Sequence, residues 1–63
     1  MSYKTVKDVV DLLLANDFSF VRQKGSHQVY TNGKKVVIVP NHGKKGIEKG
    51  TYFSILRQAG LKK

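Results

Sequence analysis

The chain has no cysteine, no tryptophan, a single proline and only four acidic residues among its 63. Without cysteine a disulfide cannot staple the fold, and the absence fits a reducing compartment. Four acids and two histidines, with no Cys-x-x-Cys or His-x-x-x-His spacing, make a poor metal box, so neither a structural zinc nor a cofactor is expected. No apolar run approaches the roughly 20 residues that would span a bilayer. Met1 to Lys4 leads into an amphipathic segment with two aspartates, which is not the order of a signal peptide. These absences predict a cytoplasmic protein with no membrane association. The length predicts one domain over residues 1–63, small enough to be only marginally stable.

What is present in excess is positive charge, +8 in all, and it is unevenly placed. Residues 1–17 hold two lysines against three aspartates, whereas residues 18–63 hold ten cations against Glu48 alone. A single-sign field of this kind draws polyanions, nucleic acid above all, with an anionic membrane or an acidic protein surface as the alternatives.

Thr5 followed by Asp8 forms a capping-box pattern with Asp in place of the usual Glu or Gln. Val6, Val9, Val10, Leu13 and Leu14 then recur at helical spacing, giving one apolar stripe on a helix that Asn16-Asp17 ends. Phe18 and Phe20 alternate with Ser19 as a first strand running into Val21 and Arg22. Gly25-Ser26 makes a turn, and His27 to Thr31 reads as a second strand. Asn32-Gly33 predicts a two-residue type I′ turn, with Val36 to Val39 as the third strand and Pro40 ending it. Asn41 to Gly46 is a loop. A helix over Thr51–Ala59 places Tyr52, Ile55, Leu56 and Ala59 inward, and Gly60-Leu61 caps it. The order is helix, three antiparallel strands, helix. Two striped helices need one sheet face to cover, so an α+β, two-layer, double-stranded-RNA-binding-domain-like fold is expected.

The run Arg22-Gln23-Lys24-Gly25-Ser26-His27 carries the chemistry. A histidine can take and give a proton near neutral pH, and here it follows two cations and a turn whose Gly25 and Ser26 amides could hold a phosphate. A two-residue turn at Asn32-Gly33 would pair Thr31 with Lys34, Val29 with Val36 and His27 with Ile38. That register places His27 at the rim of an apolar core face, where it could be merely a hydrogen-bonded strand residue; a bulge near Gly25 or a longer turn would move it. Lys44 and Lys45, in a loop with His42, read as a flexible cationic segment that touches backbone phosphates. Tyr30 and Tyr52 could stack bases, but each also fits a core stripe.

The stretch from Phe20 to His27, then Val36 to Pro40 with His42, then Lys49-Gly50-Thr51 and Ser54 to Gly60, closely resembles the HicA toxins, also called YcfA-like proteins. The resemblance covers nearly the whole chain. It implies the double-stranded-RNA-binding-domain-like fold and a metal-independent endoribonuclease that cleaves mRNA. It also implies His27 as the catalytic histidine, and a HicB-type antitoxin that covers the active site, with a higher-order complex between the two as a further expectation. Two positions depart from the family pattern. Asp17 stands where a glycine usually precedes the aromatic, and Gln28 stands where a second histidine or aromatic commonly follows the first. The rival readings are a non-catalytic RNA-binding module of the same fold and an interaction protein whose charge meets an acidic surface. Lys24, Tyr30, His42 or water remain candidates for the second proton transfer.

Overall fold

The computed structural model describes residues 3–41 and 46–61. Thr5 lies in extended backbone; its hydroxyl accepts the Asp8 N–H at 3.0 Å while the Asp8 carboxylate accepts the Thr5 N–H at 3.1 Å. This reciprocal box satisfies two orphan donors and starts α1, Val6–Ala15. Val9 and Leu13 are fully buried, with Val6 and Val10 packed beside them. Leu14, expected in the same stripe, is 51% exposed, because it lies about 100° further round the helix than Leu13.

The end of α1 is a Schellman motif. The Phe18 N–H donates to Leu13 O at 3.0 Å and the Asp17 N–H to Leu14 O at 3.3 Å, with Asp17 in the left-handed region at φ 70°. Phe18, expected to open the first strand, is instead the apolar residue that closes this motif, buried with Leu13 in the core.

The sheet comprises β1 (Ser19–Lys24), β2 (His27–Thr31) and β3 (Val36–Pro40), antiparallel in the order β1-β2-β3. β1 and β2 are joined through Gly25 at φ 60° followed by Ser26 at negative φ, the pattern of a turn with glycine at its first central position. The β2–β3 connection corrects the expected register. Thr31 pairs with Val36, Val29 with Ile38 and His27 with Pro40, so the loop is four residues, Asn32 to Lys35. Asn32 does not adopt the positive φ of a type I′ turn. Its side-chain oxygen instead accepts the Lys34 and Lys35 amides at 2.9 and 2.7 Å, and Thr31 Oγ accepts the Gly33 N–H, which makes the wider loop self-satisfied.

α2 spans Lys49–Ala59, two residues longer at its start than expected; Gly50, a weak helix former, hides the first turn in the sequence. Gly60 at φ 74° ends it, with the Leu61 N–H bonded to Leu56 O at 2.8 Å. The segment before α2 is tied to the N-terminal residues: Tyr3 and Lys4 amides donate to Ile47 O, and the Ile47 amide to Lys4 O at 2.7 Å. Such an isolated bridge has no periodicity to read.

Both helices cover one face of the sheet, the one that carries Tyr30, Val37 and Val39, all at or below 4% exposure. These pack with Val9, Leu13, Ile47, Ile55 and Ala59. The expected core face was therefore the wrong one: Val36 and Ile38 are 57% and 39% exposed, and His27 stands with them on the uncovered side. The two-residue change in register kept these residues together on one face, and β-branched residues at every position of β3 up to Pro40 left both its faces equally apolar in sequence. At 16 Å along its shortest axis the molecule has room for two layers only.

Candidate active site

The uncovered face is built by strand pairing. Lys24 lies directly opposite His27, and Arg22 opposite Val29, so Arg22, Lys24 and His27 share that face. Strict alternation from Phe20, which pairs with Tyr30 on the helix side, would have aimed Arg22 and Lys24 at the helices. The register shifts between Phe20 and Arg22, with Val21 as the extra residue, and the shift turns both cations to the side of the histidine. The bulge considered near Gly25 falls four residues earlier, at Val21, and Gly25 itself lies in the turn between Lys24 and His27. Arg22, Lys24, Gly25 and His27 are exposed and Ser26 is half-buried.

The turn beneath these side chains is braced from two sides. On one, the Asn41 amide donates to Ser26 O at 2.6 Å, which ties the end of β3 to the turn. On the other runs a chain of side-chain bonds: Tyr30 OH to Gln28 Oε1 at 3.0 Å, Gln28 Nε2 to Gln23 Oε1 at 3.3 Å, and Gln23 Nε2 to Gly25 O at 3.0 Å. Gln23 and Gln28 are directly paired on the helix side of the sheet. Gln28, one of the two departures from the family pattern, therefore points away from His27 and holds the turn. No periodic or compositional signal marks this chain, since glutamine is equally at home on a solvated strand.

Tyr30 also faces the helices, and its burial raises the phenol above its ordinary pKa. A phenol kept protonated on the far side of the sheet from His27 is not placed to exchange protons with it, so Tyr30 leaves the set of candidates for the second proton transfer. Tyr52 is half-buried and packs against Tyr3 and Phe53, as a core-margin residue does. His42, Lys44 and Lys45 lie outside the described residues. Among the described residues no three His, Cys, Asp or Glu side chains come together as metal ligands, and no helix is long and apolar enough to cross a membrane.

A small basic α+β domain is thus defined, with two helices over one sheet face and a histidine flanked by two cations on the other. Residues 6–61 match the family described as the HicA toxin of bacterial toxin-antitoxin, and the chain belongs to that family. It is accordingly the toxin of a toxin-antitoxin system, and an antitoxin is its partner. No curated protein matches the chain.

Proposed function

We propose that this toxin is an endoribonuclease that cleaves mRNA by proton transfer through His27, without a metal ion. The observation that carries the reading is the pairing of Lys24 with His27 on the uncovered sheet face, with Arg22 on the same side. His27 removes the proton of a ribose 2′-hydroxyl; the 2′-oxygen attacks the adjacent phosphorus, and the bond to the 5′-oxygen breaks. The products are a 2′,3′-cyclic phosphate and a 5′-hydroxyl, the latter taking its proton from Lys24, His42 or water. Arg22 and Lys24 stabilise the charge that grows on the phosphorus oxygens, and the amides of Gly25 and Ser26 supply further donors. Lys44 and Lys45 hold backbone phosphates beyond the reacting one. A HicB-type antitoxin silences the toxin by covering this face, in a complex of higher order.

Cleavage of a defined RNA in the presence of EDTA, by wild type and by His27→Ala, tests the reading. The wild type is expected to cut RNA and to spare DNA, which lacks the attacking hydroxyl, while the variant loses roughly 10²- to 10⁴-fold in rate. Circular dichroism of the variant should match wild type, since His27 is exposed. A folded His27→Ala protein that cuts at the wild-type rate overturns the assignment. Wild-type protein that binds RNA without cutting it establishes the non-catalytic RNA-binding module instead.

A further inference from the structure

A sheet with one solvated face ordinarily alternates apolar inward and polar outward residues. Here the outward positions of β2 and β3 include Val29, Val36 and Ile38, with Val29 directly opposite Ile38 and Val36 opposite Thr31. Val36 and Ile38 are well exposed on an edge strand, a combination that invites aggregation unless something covers it. The edge itself is partly guarded, because the Ile38 N–H donates to Gln58 Oε1 of α2 at 3.3 Å; the face is not.

The charge around this strip has one sign. The uncovered face carries Arg22, Lys24 and His27 and no acid. All four acidic residues of the chain lie on the helical layer or at its ends: Asp8 and Asp11 in α1, Asp17 just past it, and Glu48 at the cap of α2. An occupant of the strip must therefore offer negative charge beside flat apolar surface. Single-stranded RNA does so at every nucleotide.

We propose that the strip Val29, Val36 and Ile38 is the subsite for the nucleotides flanking the cleaved bond, whose bases lie on it by apolar contact. The inference rests on the nuclease reading: a phosphate at Lys24 and His27 lies on the uncovered face, so the strand that carries it must continue over that face. Val29 is two residues along β2 from His27, about 6.8 Å, close to one nucleotide step in an extended strand. The strip contains no aromatic, and the hydroxyl beside it, Thr31 Oγ, is engaged with Lys35 O and the Gly33 N–H, so it grips bases by contact area and tolerates any sequence. That distinguishes it from the stacking platforms and base-edge readers of sequence-specific RNA modules.

The test measures binding of an uncleavable 2′-O-methyl RNA and of the cognate antitoxin, together with kcat and KM on the cleavable strand. The proteins are wild type, Val36→Ser/Ile38→Ser and, as a control on the helical layer, Lys49→Ala. The double serine variant is expected to weaken binding and raise KM roughly three- to tenfold, from the apolar contact it forfeits, with kcat little changed. Lys49→Ala should stay within about twofold of wild type in affinity. Should serine loosen the edge strand, visible by circular dichroism, Val36→Thr/Ile38→Thr keeps β-branching and carries the same comparison. Wild-type RNA affinity in the folded double variant overturns the subsite while leaving the nuclease reading intact. So does loss of antitoxin binding with RNA binding unchanged, which assigns the strip to the partner protein. Failure of wild type to bind RNA overturns both.

Discussion

At the scale of the residue, Asp17 is the position where local backbone and side chain conflict. Its φ of 70° completes the Schellman motif that ends α1 and delivers Phe18 to the core. Left-handed backbone costs an L-residue about 1–2 kcal/mol, less for Asp than for most, whereas glycine adopts it freely. A glycine at this position would meet the same geometry without that cost. Asp17→Gly is expected to stabilise the fold by about 0.5 kcal/mol after the added entropy of the unfolded chain, raising Tm by about 2–4 °C. Thermal unfolding by circular dichroism checks this, and an unchanged or lowered Tm contradicts it. The motif's polar signature was legible in Asn16-Asp17; its conformation was not, because aspartate is common in ordinary turns as well.

At the scale of the element, α1 begins on a charge-dependent contact. The backbone amide of Thr5, and then its hydroxyl, hold the Asp8 carboxyl below its ordinary pKa of 3.8. A carboxylate depressed in the folded state stabilises the fold above its unfolded pKa, and that contribution is lost as pH falls through the folded value. Stability should therefore decline below about pH 4 in wild type, and Asp8→Asn should remove part of that decline, as urea unfolding across pH 2–6 would show. An identical acid limb in the variant would contradict the role of the box in holding α1. This element was readable because capping pattern and apolar stripe agree in the sequence. The third strand was readable only as a strand. Its run of Val36 to Val39 offers either face to a core, and the choice is made by what Tyr30 brings across from β2 and what the helices bring from above. The chemical corner was half legible. Histidine and cations were visible as a run, but their meeting on the open face depends on one unpaired residue that alternation cannot announce.

At the scale of the whole molecule, the charge is polarised between layers. Lys7 is occupied by Asp11 of its own helix at 2.8 Å, while Arg22 and Lys24 stand on a face without acids. Each lysine or arginine that meets a phosphate of a single strand contributes about 0.7 to the slope of log affinity against log salt. Lys24→Ala should lower that slope by about 0.7, and Lys7→Ala should leave it unchanged, in titrations with uncleavable RNA. Equal slopes for wild type and Lys24→Ala would contradict an RNA strand that crosses the uncovered face at Lys24. The layout also shows what the extra residue in β1 achieves. Before Val21 the even-numbered Phe20 faces the helices; after it the even-numbered Arg22 and Lys24 face away. The insertion inverts the parity of the strand midway, so that six residues run in two opposite phases. One short strand can thus set its aromatic edge-on against Tyr30 on the helix side and its cations on the open face, although all three occupy positions of the same parity.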